Sequence, residues 1–298
     1  MSIAFLFPGH GSQRRGMLHR LPDTTASATV LAEADLALRN AGVGPGAGTA
    51  TGPGAATGRG SGAGGGSGSG DGPVLDLSGG IAELDTAEAL EKSPVALHLA
   101  LLIAGVAGAR AMTEDEGVPP GLVVGHGVGA FAAGVTCGVL TFEEALRAVR
   151  LRGELLERGE EPGGILPIRL AQHLATVRRR PQTVPYLSGF YGRVLREDAN
   201  AVFDDMARCA VGPPRWDESV AAMAAEGVDC CVEMPPGRAL SERLAGGAPG
   251  IRAVSVEEWG IAEAGELARA VAGIADPSGA GEGMTEEDWG PDGPIPAG

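Results

Sequence analysis

The chain has 298 residues, enough for one large domain or two modest ones. Its formal net charge of −15 leaves no basic footprint, which argues against a nucleic-acid partner. Hydrophobic residues make up 44% and aromatics only 4%, so a sizeable core has to be built mostly from Leu, Val and Ala.

The opening SIAFLF reads as a short buried strand running into the turn PGHGSQ. It meets glycine too soon for a secretory leader, and none is expected. Residues 25–40 fit a helix with Leu31, Ala34 and Leu38 on one face. Residues 42–72 are a Gly/Ser/Ala tract without apolar anchors. Such a tract cannot bury enough surface to offset its ordering entropy, and a disordered loop is expected. Ser93 and Pro94 make a helix start, an N-cap followed by proline in the first turn. The apolar stretch 94–108 contains His98 and falls short of the ~20 residues a membrane span needs, so it reads as a buried helix.

Residues 122–124 form the next strand, GHGVG the next turn, and residues 128–137 a helix of small residues. Thr141 and Glu144 make a capping box that opens a helix to about Arg158. A helix is expected over residues 169–179, with Arg178, Arg179 and Arg180 as a helix-end charge cluster. TVPYLSG then reads as strand and YGRVLRE as strand or extended turn. DANAVFDDMARCAV and WDESVAAMAAEG read as helices, VDCCVEM as strand, and PPGRALSERLAG as a turn and helix. IRAVSV is the last strand, before a final helix to about Ile274. The acidic, Gly/Pro-rich tail 276–298 is expected to be loose.

Strands alternating with helices predict an α/β fold: a parallel sheet core with helices on both faces. One domain over residues 1–275 is expected, interrupted by the 42–72 loop. In such sheets ligands sit at the carboxyl ends of the strands, where PGHGSQ and GHGVG both fall. Cys137, Cys209, Cys230 and Cys231 show no C-x-x-C spacing. They read as reduced, mostly buried thiols of a cytoplasmic protein.

The stretch GLVVGHGVGAFAAG over residues 121–134 has the outline of a nucleophile elbow, the strand–turn–helix corner that holds a serine above a sheet. The serine position is Gly127. GHGVG is not a dinucleotide fingerprint, for it lacks the GxGxxG spacing and a following acid.

Several motifs occur in one order. FLFPGHGSQ resembles the FPGQGSQ opening of malonyl-CoA:acyl-carrier-protein transacylases, and GHGVGAFAAGVTCGVLTFEEAL resembles their elbow. Residues 149–153, VRLRG, resemble their arginine segment, and VEMPPGRAL resembles their closing E-x-GPG motif. RGMLHRLP, LALLIAGVAGARAM, VTCGVLTFEEALRAVRLRGELLE, YLSGFYGRVLRE and PPRW are most similar to one branch, the epsilon subunit of malonate decarboxylase.

The resemblance implies an α/β-hydrolase-like large subdomain and a small ferredoxin-like subdomain. It implies transfer of a malonyl group from coenzyme A through an elbow serine to a carrier-protein thiol. It implies no cofactor and no metal. Malonyl-CoA and an acyl carrier protein are the implied ligand and partner, with other malonate decarboxylase subunits as further candidates. The chemistry calls for a hydroxyl activated by imidazole, donors for the oxyanion, and a cation for the distal carboxylate.

Carried over position by position, Arg152 is the candidate for the malonyl carboxylate. The bland alternative is a helix-surface charge beside Glu154 and Glu157. The backbone N–H groups of His10 and Val128 are the candidate oxyanion hole. Gly127 has nothing to acylate, and no segment like the family's SVPSH supplies the base. The stretch from Arg152 to Pro181 is too short for the small subdomain, which is expected to be largely deleted. His173 is the substitute base to weigh, and its amphipathic surroundings favour a plain helix residue. His126 reads as structural. Cys137 lies about 15 Å down the helix, too far to replace the serine. Ser12 reads as a cap rather than a nucleophile. The expected function is therefore a malonyltransferase homologue with little or no activity. A non-catalytic protein that binds a carrier protein or coenzyme A, or a degraded relic, is the alternative.

Overall fold

A computed structural model describes residues 2–42, 77–161, 163–209 and 214–273. Six strands form one sheet in the order β4-β3-β2-β1-β5-β6. They are β1 (Ser2–Phe7), β2 (Leu122–Gly125), β3 (Tyr186–Ser188), β4 (Arg193–Leu195), β5 (Val228–Glu233) and β6 (Arg252–Ser255). The first strand lies at the centre, parallel to β2 and β5 on either side. Both its faces are covered, which is why SIAFLF is apolar without alternation. Ile3, Phe5 and Phe7 enter one core, while Ala4 and Leu6 enter the other.

The larger core lies under α1 (Thr25–Gly42), α3 (Pro94–Arg110), α4 (Gly129–Thr136), α5 (Phe142–Glu157), α7 (Ala199–Arg208) and α11 (Ile261–Ala272). Between α1 and α3 lies the short α2 (Ala87–Lys92). The smaller core lies under α8 (Trp216–Ala225) and α9 (Ala239–Gly247), through Trp216, Met223, Leu240 and Leu244. Helices thus cover both faces, as expected. The short α10 (Val256–Trp259) connects β6 to α11.

Five strands are parallel, and β4 pairs antiparallel with β3. The four-residue link between them, with Gly192 at φ 65°, closes a hairpin. A parallel return needs a crossover of a dozen or more residues. Between α5 and β3, the described residues hold one helix, α6 (Leu166–Ala175), and no strand. That leaves no second lobe there. The α6 helix begins and ends earlier than its periodicity suggests, because Pro167 sits in its first turn and Arg179 folds back onto its end. Arg179 donates to the carbonyls of Leu174 and Val177 (2.8 and 2.9 Å) and stacks 4.1 Å from the Phe203 ring. The arginine cluster is thus a helix-end feature.

The helix start at Ser93 and Pro94 is as expected, with Ser93 Oγ accepting from the Ala96 N–H. Both capping-box bonds between Thr141 and Glu144 are present. The helical segment 94–115 is long and apolar enough to cross a membrane, but 94% of its most apolar window is buried inside the fold. It is the core helix of the domain. Nearly all of the tract 42–72, and the whole tail 276–298, lie outside the described residues.

Candidate active site

Two turns meet at the carboxyl end of the sheet: Pro8 to Gln13 after β1, and His126 to Val128 after β2. The His126 N–H donates to the Phe7 carbonyl at 2.9 Å. A Cβ on Gly9 would stand 2.2 Å from the His126 carbonyl oxygen, and one on Gly129 2.2 Å from that of Phe7. Only glycine permits these approaches. Gln13 braces the first turn by accepting the Gly11 N–H at 2.7 Å. Ser12 caps no helix, contrary to expectation. The next helical turn, Met17–Arg20, is N-capped by Gly16, and the Ser12 N–H closes the loop onto the Gly9 carbonyl at 3.2 Å.

Gly127 has φ 58°, the left-handed backbone of an elbow residue. A side chain there would meet no atom within 4 Å. The position therefore opens into free space and carries no reactive group. Among the described residues, neither the His10 nor the Val128 backbone N–H has a hydrogen-bond partner. Two unengaged donors on abutting turns are what an oxyanion hole requires.

Arg152 faces inward from α5. Its Nη1 donates to the His98 ring on α3, 2.8 Å from Nε2 and 3.1 Å from Nδ1. Its Nε is buried without a partner. Gly153 explains the encounter: a Cβ there would lie 2.6 Å from Val95 Cα, so α3 and α5 cross in close contact one turn from His98. The two carboxylates of the surface alternative turn elsewhere. Glu154 pairs with Arg150 and Arg158. Glu157 accepts from Ser93 Oγ at 2.7 Å. No carboxylate pairs with Arg152 among the described residues.

Other groups near it carry no negative charge. The half-buried Cys209 has its sulfur enclosed, and this pushes the thiol up to about 12 against the pull of Arg152. Burial, then Arg152 and His10, push His98 down to about 2, so its ring is neutral. Arg152 itself is lowered by burial yet remains a cation. The buried carboxylates at the strand ends are occupied. Asp205 accepts from Tyr186 at 2.6 Å, from Ser188 Oγ and from the Phe190 N–H. Glu233 accepts the Leu240 and Ser241 N–H groups at the start of α9.

The other sequence candidates separate from this centre. His173 is pushed down by burial and by Arg147. Arg147 lies five residues before Arg152 on α5, about 7.5 Å along the axis. His126 is half-buried, pushed down by burial and by Arg243. Cys137 is buried at the far end of α4, its thiol raised to about 12 by burial. Cys230 and Cys231 are also free and buried. The residue missed from sequence was His98. Its signal was a lone polar side chain in a helix buried from Val95 to Ala109, which needs a polar partner.

A central, mostly parallel sheet and a nucleophile-elbow turn at its carboxyl end, with two unengaged backbone N–H groups in the abutting turns, make an α/β scaffold of the acyl-transfer kind. The chain belongs to the acyl transferase domain family, whose pattern it matches over residues 4–194. It is 24% identical to the malonyl CoA-acyl carrier protein transacylase of Salmonella typhimurium over 316 aligned residues, covering 80% of this chain and 90% of that one. Among solved structures, the acyl-carrier-protein S-malonyltransferase of Burkholderia pseudomallei superposes with a TM-score of 0.66 at 21% identity. It covers 90% of this chain and all of that one. A malonyl-transacylase solved with its type II polyketide acyl carrier protein gives 0.65 at 19% identity, over 92% and 100% of the two chains. At these identities the structural likeness establishes the fold.

Proposed function

We propose that this chain binds malonyl thioesters in an acyl-transferase site that no longer forms the covalent acyl-enzyme. The observation that carries the reading is the half-buried Arg152 guanidinium, whose Nε is enclosed without a partner and which meets no carboxylate among the described residues. A partly desolvated cation without a counter-charge is costly to the fold. A ligand carboxylate would supply the missing counter-charge through charge-assisted hydrogen bonds. The N–H groups of His10 and Val128 would receive the thioester carbonyl oxygen. Gly127 offers no nucleophile, and this reading assigns no base to it.

The motifs YLSGFYGRVLRE and PPRW support the malonate decarboxylase epsilon type within the family. An acyl carrier protein is the partner this reading calls for, in a single cytoplasmic domain over residues 1–275. Intact-mass analysis after incubation with malonyl-CoA tests it. Removing nucleophile and base together removes on the order of a millionfold in rate, so no adduct is expected. A malonyl-mass adduct on any side chain would refute the non-covalent reading. Calorimetry should detect malonyl-CoA binding, and no heat with it would remove the binding reading.

A further inference from the structure

We propose that His98 is the positioning residue of the carboxylate site: it holds Arg152 as an electrically neutral acceptor and leaves the full guanidinium charge to the ligand. This rests on the malonyl-thioester reading above.

An arginine has five N–H donors and no acceptor. The His98 nitrogen facing Nη1 at 2.8 Å must therefore present a lone pair. Burial enforces the same state: His98 is 3% exposed, and the titratable groups that act on it are Arg152 on α5 and His10 in the turn after β1. A proton on the ring would place two cations in contact in a buried site.

The choice of a neutral partner has a consequence for specificity. A carboxylate at position 98 would orient the guanidinium equally well, but it would also neutralise it. The ligand carboxylate would then compete with a tethered anion at very high local concentration. The fold keeps its own carboxylates away: Glu154 is drawn to Arg150 and Arg158, and Glu157 to Ser93. Nε remains buried and unengaged beside the tethered Nη1. The arrangement selects acyl groups that end in a carboxylate, such as malonyl, over acyl groups that end in a methyl.

Calorimetry with malonyl-CoA and acetyl-CoA on the parent, H98Q and H98E tests this. The parent is expected to favour malonyl-CoA roughly 10- to 100-fold. H98Q, which keeps a neutral acceptor, should stay within about threefold of that ratio. H98E should bring the ratio close to one. A parent without preference sinks the malonyl reading and this inference with it. A parent preference that H98E keeps, or that H98Q loses as fully as H98E, sinks this inference alone. Nitrogen NMR of the His98 ring in the parent needs no variant to fold. The ring should stay neutral from pH 8 to pH 5, and titration near its ordinary 6.5 overturns the proposal.

Discussion

The elbow turn and the Arg152–His98 pair each keep what the other lacks. The elbow retains its close backbone approaches, through Gly9 and Gly129, and the left-handed backbone of Gly127, but Gly127 presents no reactive atom. Arg152 retains a charge that meets no carboxylate among the described residues. Close packing sustains itself, because any added atom clashes. A half-buried cation without a counter-ion tends to destabilise its own fold, and a ligand carboxylate would relieve that cost. The elbow alone would fit an inert relic of a transferase. The unpaired charge of Arg152 is what the proposed ligand carboxylate would meet.

The comparison breaks first at Gly129. A Cβ 2.2 Å from the Phe7 carbonyl forces the backbone apart, so Gly129→Ala should lose about 3 kcal/mol or more in urea melts. A loss under about 1 kcal/mol would mean that the elbow is looser than described. Arg152→Met should act in the opposite direction, raising stability by about 2 kcal/mol while abolishing any preference for malonyl-CoA. A destabilised variant would show that Arg152 serves the fold.

The next effect depends on pH. His98 is held at about 2 in the fold against 6.5 as its ordinary value. The unfolded chain therefore binds a proton that the native chain refuses. Stability is unaffected above pH 6.5 and falls as pH drops below it. One such group costs about 1.4 kcal/mol per pH unit. Between pH 7.5 and pH 5 the parent should lose about 2 kcal/mol more than H98Q, as read from paired urea melts. Equal losses would mean that His98 is solvated.

The smallest effect is at Gly127. Its φ of 58° suits glycine, but the space beside it is open. Gly127→Ser and Gly127→Ala should each lose about 1 kcal/mol, from backbone strain alone. Neither should be acylated by malonyl-CoA, because an unassisted hydroxyl is a weak nucleophile. Acylation of the serine variant would reveal a base. His10, in the turn that abuts the elbow, and His173 would then be the first to test.

Most of the elements were legible in the sequence. The helix start at Ser93 and Pro94, the capping box at Thr141 and Glu144, and the elbow glycine all follow from contacts within four residues. The strand β1 was legible because a run buried on both faces has to be apolar throughout. Arg152 was named as the carboxylate candidate, but only through resemblance. Its amphipathic helix left a surface charge beside Glu154 and Glu157 open as the less favoured alternative.

Sequence by itself therefore determined the local conformations: which segments are strand or helix, how they begin, and that Gly127 can adopt an elbow backbone without a side chain. Such features depend on neighbouring residues and on the period of burial. Tertiary structure alone decided that β4 returns antiparallel, that Glu154 and Glu157 turn away from Arg152, and that Arg152 meets His98, 54 positions away. That meeting depends on two helices crossing close at Gly153 and Val95. Periodicity shows that a helix face is buried, whereas the partner it meets is set by where other parts of the chain cross it.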